Sequence, residues 1–468
     1  MRITFLEGGE HERSERSLHE PSLAPGTEGC REVASSGSAL CAAMNHTANR
    51  MGRCCAVASQ VSSGETRGVA LRFGPFHVVL AVHSFGAASQ RRLAPWIRKK
   101  SMNAWNSWLL LLVVGSLTPG CVGDCKESGS PEGQPLGFMA QYAADVCLAP
   151  VGGPGVTVTI STEDMTLGLG AAGELADGTP ADVTSLFRLG ELSEIYTAAL
   201  VSRLVDEGRM DLADPISSYL DWVVTDDPIS LRQLLAHRSG LKDARKVGSI
   251  DLSSEQGPEA IARAAVDAGP RFSPGEMHSL SSTDYLLLGL AVESELSQDF
   301  GLALHQRVLD PFGLGATFVD GYDELPEELA QGHNGAGRER TDAFDAANGG
   351  GALSIVSNGT DVERLLRLIF EDETFLAEVT RLEFAFPADG VAGESGFGFG
   401  VLIDTVAGDT AWSRAGDHPG GYGAAFVYLP DLRVASIALT NASPSNPGAI
   451  AALAAGYGVG FQALRSAE

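Results

Sequence analysis

The sequence predicts an α+β fold: an antiparallel sheet flanked by N- and C-terminal helices, with an all-helical region set into the middle. Three observations carry this. Strand-like alternation occurs early, at Val156-Thr-Val-Thr-Ile160, and returns only late, at Ala424–Tyr428 and Val434–Thr440. Between them, over about 186–390, apolar residues recur at helical spacing, as in Ile195, Ala198, Ala199, Val201, Leu204 and Val205. The chain then closes on an Ala-rich apolar stretch from Gly448 to Arg465. Strands kept apart from their partners by a run of helices describe an α+β domain interrupted by a helical one.

The elements follow in order. Leu136–Cys147 reads as a helix, Val156–Ile160 as a strand, and Met165–Leu169 as its hairpin partner. Ile195–Glu207 reads as a helix, and Phe399–Ile403 as the first of the late strands. The domain spans 136–466, with the helical subdomain within about 200–385. Residues 126–135 are rich in Gly, Pro and Ser, and the stretch 122–135 reads as a polar linker.

Upstream, Trp108–Leu117 is an apolar run preceded by Arg98, Lys99 and Lys100, and it ends in Thr118-Pro119-Gly120-Cys121. A charged start, a short apolar core and a small residue before the cut have the shape of a signal peptide, placed at 102–121. The run is too short to span a bilayer, which takes about 20 apolar residues. Gly120-Cys121 resembles a bacterial lipobox, which makes Cys121 the lipid attachment point, although Thr118 and Pro119 depart from the usual residues. An ordinary secretory signal, or an uncleaved anchor, is the other reading. Residues 1–101 show no sustained period and are expected to lack ordered structure or to precede the true start.

The charge is uneven along the chain, and cysteine usage fits an exported protein. The formal net charge is −26, and residues 1–121 hold 13 Lys+Arg against 8 Asp+Glu, which leaves −31 on the remainder. Such an acidic body excludes nucleic acid as a partner, since phosphate binding needs a basic face. Four of the seven Cys lie in the leader; Cys121, Cys125 and Cys147 follow. With Cys121 lipidated, Cys125 and Cys147 form a disulfide in an oxidising envelope, or remain two thiols.

A set of short stretches, in order, is similar to the serine β-lactamase and penicillin-binding protein superfamily, in its branch near the class C enzymes and D-alanyl-D-alanine carboxypeptidases. They are Leu186–Ala198, Leu204–Pro215, Ile229–Leu241, Phe272–Gly275, Gly349–Ser354, and Pro419-Gly420 leading to Leu439-Thr-Asn441. The resemblance covers about 150–460 and implies the β-lactamase/transpeptidase-like fold. It also implies three reactive motifs. A Ser-x-x-Lys places nucleophile and base on one helix face. A Tyr-x-Asn or Ser-x-Asn loop assists the proton transfer, and a Lys-Thr-Gly or His-x-Gly strand closes the other wall.

In this chain all three motifs are altered. The first reads Glu191-Leu-Ser-Glu194, so a carboxylate stands at the nucleophile position and another at the lysine position. The second reads Leu280-Ser281-Ser282, and the third Arg414-Ala415-Gly416. Ser193 is not a displaced nucleophile, because the family often has Ser or Thr just before its lysine. Lys126, Lys242 and Lys246 are the three lysines after Cys121, and the literal Ser239-Gly-Leu-Lys242 belongs to a different family segment. No catalytic residue of the family is therefore intact.

These substitutions carry their own expectations. Glu191 and Glu194 would sit in the first helical turn, where negative charge is favoured by about 0.3–1 kcal/mol. Two adjacent acids at a half-buried site call for a cation, and Arg414 on the facing strand is placed to supply it. The expectation is an ion pair across the former cleft. General acid–base work by the two carboxylates is the competing reading, yet they stand too close for the separations glycosidases use. His237 and His278 lie in family segments without ligand spacing, so neither metal nor cofactor is expected. Asp417 and His418 read as surface groups. The function expected is that of a catalytically inactive envelope lipoprotein that binds a peptidoglycan fragment or an envelope protein. The alternative is an active hydrolase of β-lactamase, carboxypeptidase or esterase type using non-standard residues.

Overall fold

The computed structural model describes residues 59–63, 66–73, 76–82 and 135–465, the last stretch without 152–154, 176–177, 328, 335–338, 341–342, 386–395, 407–408 and 444–446. The expected signal at 102–121 with Cys121, the tether up to 134 and Cys125 lie outside the described residues, so the proposed Cys125–Cys147 link does too. The chain divides into two units, 1–126 and 127–468.

In the first unit, β1 (Ser59–Ser63), β2 (Thr66–Phe73) and β3 (Phe76–Val82) form an antiparallel three-stranded sheet. Over β2 and β3 the apolar residues alternate: Val69, Leu71 and Phe73, then Phe76, Val78, Leu80 and Val82. A period of two is what a paired strand needs.

The second unit is built on a seven-stranded sheet. Its strands are β4 (Gly155–Ser161), β5 (Leu167–Gly173), β11 (Gly396–Phe397), β12 (Leu402–Val406), β13 (Asp409–His418), β14 (Tyr422–Leu429) and β15 (Val434–Thr440). They lie in the order β11-β12-β13-β14-β15-β4-β5, and every neighbouring pair is antiparallel. Short strands β6 (Phe187–Arg188), β7 (Phe318–Val319) and β10 (Ile355–Ser357) make a second sheet, and β8 (His333–Asn334), β9 (Glu339–Arg340) and β16 (Ala442–Ser443) a third.

Both faces of the large sheet are covered, and the alternation says by what. Val156, Val158 and Ile160 of β4, with Val427, Val434 and Ala438, pack against two helices. These are α1 (Pro135–Val151), through Leu136, Ala140 and Ala144, and the C-terminal α8 (Pro447–Arg465), through Ala451, Ala454 and Ala455. The intervening residues Phe426, Tyr428, Ile437 and Leu439 point to the other face and join the larger core. That core includes α2 (Glu194–Asp206), α3 (Leu231–Leu235), α4 (Pro258–Asp267), α5 (Ser282–Leu296), α6 (Gly359–Glu371) and α7 (Glu378–Ala385). Burying one Leu or Phe here stabilises by about 1.5–3 kcal/mol, and the helical layer holds dozens of such residues.

Two expected elements are displaced. The hairpin partner of β4 begins at Leu167, because Met165 sits in the turn with φ 64°. The strand expected at 399–403 begins at Leu402, because Gly400 takes φ +71° and Phe399 and Val401 are turned into the core.

Candidate functional site

The site forms where α2 starts against β13. Glu191 lies in a 3-10 turn, Gly190–Ser193, and Glu194 opens α2 directly after it. The two acids are thus not in one α-helical turn as expected; the tighter turn precedes the helix. Its approach to β13 is close enough to require glycine on both sides. Gly190 has φ +56°, and a Cβ there would fall 2.7 Å from the backbone of Asp417 and His418. A Cβ on Gly416 would fall 2.5 Å from the Cβ of Glu191. Real Cβ atoms do not approach so closely, so any side chain at 416 would push the turn off the strand.

Around this contact six charged groups alternate in sign. Arg245, in the 3-10 turn Ala244–Lys246, bonds the Oε1 of Glu191. Glu191 Oε2 faces Arg414 Nη2 at 3.7 Å. The same Nη2 bonds Glu194 Oε2 directly. Glu194 also meets His237 Nε2 at 3.2 Å, and His237 Nδ1 faces Asp284 Oδ2 at 3.5 Å. Ser239 Oγ donates to Asp284 Oδ1 at 2.5 Å. Burial deepens along the row: the side chain of Arg245 is 23% exposed, that of Glu191 13%, and those of His237 and Asp284 not at all. The expected pairing of both glutamates with Arg414 is therefore present.

The proton on His237 decides whether the row is neutral. Two groups compete at Nδ1: the backbone N–H of Ser281, donating to it at 3.3 Å, favours the neutral ring, and the Asp284 carboxylate favours the protonated one. A neutral imidazole would leave three carboxylates against two guanidiniums in a buried place, a net negative charge with no counterion. Burial opposes the imidazolium, but Glu194 and Asp284 outweigh it, and His237 is pushed up to about 9. Burial in turn lifts Asp284 to about 6. Aromatic rings enclose the pair: Tyr285 and Phe397 each lie 5.1 Å from the His237 ring, and Phe397 also packs under the Arg414 guanidinium. At such a site the Coulomb attraction of neighbours is several times its value in water, and an unmatched charge is correspondingly costly.

The remaining expected positions fall around this row. Leu280 is 36% exposed at its edge. Ser281 stands at the N-cap position of α5, buried and without a side-chain capping bond. Ser282 Oγ donates to Asp243 at 2.6 Å, and Asp243 also holds Lys246 at 3.1 Å. Ser193 Oγ accepts the backbone N–H of Ile355 at 3.0 Å, so it is engaged in the fold. His418 and Asp417 correct the expectation of surface groups. His418 is 2% exposed, and burial, with Arg188 and Arg245 beyond it, holds its imidazole well below the usual range. Asp417 is half-buried, and burial and then Glu191 raise its carboxyl.

Sequence reasoning misses Arg245, His237 and Asp284 as members of the row. Arg245 lies in a three-residue turn with no period to place it. His237 shows in the sequence only as a metal ligand or a structural residue, and among the described residues no His/Cys/Asp/Glu group is arranged to hold a metal.

This fold and this cleft are those of the β-lactamase family. The Beta-lactamase family model matches residues 145–457, and the chain belongs to that family. Among curated relatives it is 31% identical to penicillin-binding protein 4 of Amycolatopsis lactamdurans over 175 residues, 35% of this chain and 45% of that one. It is 27% identical to the teichoic acid D-alanine hydrolase of Staphylococcus aureus over 205 residues, 42% of this chain and 49% of the relative. The chain thus spans about half the length of these relatives. Among solved structures, the D-stereospecific amidohydrolase of Streptomyces sp. superposes with a TM-score of 0.59 at 22% identity, over 67% of this chain and 97% of the other. The D-amino acid amidase of Ochrobactrum anthropi gives 0.61 at 22%, over 72% of this chain and all of the other.

Proposed function

We propose that this protein is a non-catalytic member of the β-lactamase family that acts by binding a cell-wall peptide or an envelope protein. One observation carries the reading: both carboxylates at the positions of the family's serine and lysine are already bonded within the protein, Glu191 to Arg245 and Glu194 to Arg414 and His237. A nucleophile must be free and a base must have room for a proton. Neither carboxylate meets that requirement, and the Tyr-x-Asn and His-x-Gly positions, Leu280–Ser282 and Arg414–Gly416, hold no replacement.

Incubation of the full chain with a fluorescent penicillin tests it. No covalent label is expected, and a label on any serine would overturn the reading. Peptidoglycan pull-down then separates a cell-wall ligand from a protein partner. The converse experiment restores Glu191→Ser with Glu194→Lys; little hydrolysis of nitrocefin is expected, because the other two motifs stay altered.

A second reading, an active hydrolase with unfamiliar residues, draws on the names of the relatives, a teichoic acid D-alanine hydrolase and a D-amino acid amidase. Turnover of p-nitrophenyl esters that disappears in Glu191→Gln or Glu194→Gln would favour it. We further propose export and membrane attachment through Cys121, with Cys125 and Cys147 joined. Mass spectrometry of the mature N-terminus checks this: a diacylglyceryl group on Cys121 supports it, and an unmodified cut elsewhere overturns it.

A further inference from the structure

Beside Arg414 on the same face of β13 lies Trp412, and it borders a second cleft of about 440 Å³ that no member of the charged row lines. Three rings pack there. Phe370 of α6 lies 4.7 Å from Trp412 and 5.0 Å from Tyr428, and Trp412 stacks on Tyr428 at 5.6 Å and 25°. Phe370 and Tyr428 are buried, so Trp412 is the partly open ring of the three. Leu382 of α7, 44% exposed, adds an apolar group to the lining. The volume suits a molecule of one ring and a short substituent.

The polar groups of the cleft are unequal. Glu371 accepts from Arg367, from Tyr428 Oη at 2.7 Å, and from Arg433 through both Nε at 3.1 Å and Nη2. Four bonds fill the acceptor capacity of a carboxylate, so Glu371 has nothing left for a ligand. The guanidiniums are not filled. Arg433 has its Nη1 outside these bonds and a side chain 47% exposed. The Arg381 guanidinium, 17% exposed, meets Glu373 at 3.4 Å and also acts on Asp372, and Glu373 is itself 77% exposed. The cleft therefore offers a ring face and the outer donors of two guanidiniums, with its inner carboxylate neutralised and the exposed carboxylate of Glu373 also in its lining.

We propose that this cleft binds small aromatic acids, the ring against Trp412 and Leu382 and the acid group on Arg381 and Arg433. The chemistry is stacking plus a charge-assisted bond to a planar donor. It is separate from the family cleft and does not depend on how that cleft functions.

The test titrates the full chain with N-acetylphenylalanine, with its uncharged amide, and with acetate, followed by calorimetry and saturation-transfer NMR. A ligand of this size is expected to saturate with a Kd of about 1 mM. The amide should bind about tenfold more weakly or worse, and acetate should not saturate. Trp412→Ala should abolish saturation. Should that variant fail to fold, Arg381→Gln with Arg433→Gln decides the matter: affinity for the acid falls to that of the amide. Equal affinity for acid and amide, binding unchanged in the arginine variant, or no saturation by about 10 mM each overturns the proposal.

Discussion

Two buried charge networks stand in the described part of this molecule, and they are wired differently. Along α6, Glu363, Arg367 and Glu371 follow one another at helical spacing, with Arg367 bonded to both acids. Ser161 of β4, Tyr428 of β14 and Arg433 add the bonds that tie this helix to the sheet. The row at the family cleft has no such local backbone. Its six members come from six places: two 3-10 turns, α2, the segment after α3, α5 and β13. The α6 network is braced from outside the helix, since Ser161 holds Glu363 while Tyr428 and Arg433 hold Glu371 independently of Arg367. The cleft row is sequential, and each interior link neutralises its neighbours on both sides.

This contrast predicts unequal costs. Arg414→Met should be the most damaging single change, because it strands Glu194 against His237 and leaves Glu191 with Arg245 alone. A loss of about 3–5 kcal/mol is expected by urea unfolding. Adding Glu194→Gln to that variant should recover part of the loss, and simple additivity of the two would break the picture of a linked row. Arg367→Met should cost less, about 2–3 kcal/mol, because Glu371 keeps Arg433 and Tyr428 while Glu363 keeps Ser161.

The row should also show in the pH dependence of stability. His237 is raised above its unfolded value of about 6.5, so its contribution is fully present below that pH and is lost as the pH climbs to about 9. Between those values the free energy of unfolding, followed by urea titration at each pH, should fall with a slope of up to about 1.4 kcal/mol per pH unit, and His237→Gln should flatten it. A wild-type slope equal to that of the variant would remove His237 from the row as a charged member. The smallest effect is expected at the open end: Arg245→Gln should cost about 1 kcal/mol, since water reaches this pair.

How much of this is legible in the chain depends on whether a periodic signal exists. β4, β15, α2 and α8 announce themselves by spacing, and their bounds lie within a residue or two of those expected. The two-residue strands carry no period at all, and β12 is misplaced in the sequence reading because Phe399 and Val401 look like strand residues while Gly400 breaks the run. At the site, Glu191, Glu194 and Arg414 are found through the order of the family's stretches. The pairing of Arg414 with both acids then follows from charge alone. His237 and Asp284 are not found, because a lone histidine 43 residues from Glu194 carries no mark in the sequence of what it will meet. Asp417 and His418 are misjudged because polar residues next to Pro-Gly read as a surface turn. The closeness of Gly190 to the backbone at 417 and 418 is what draws that segment inward.

The internal neutrality of the row has a consequence for encounter rates. The body of the chain carries a formal −31 beyond residue 121, but the cleft adds almost nothing to that field, because its charges cancel within a few ångströms. A ligand farther than about 8 Å, the screening length at physiological salt, feels only the acidic surface. Any anionic ligand of the cleft should therefore associate faster as salt is added, and a cationic one more slowly, whatever contacts it finally makes.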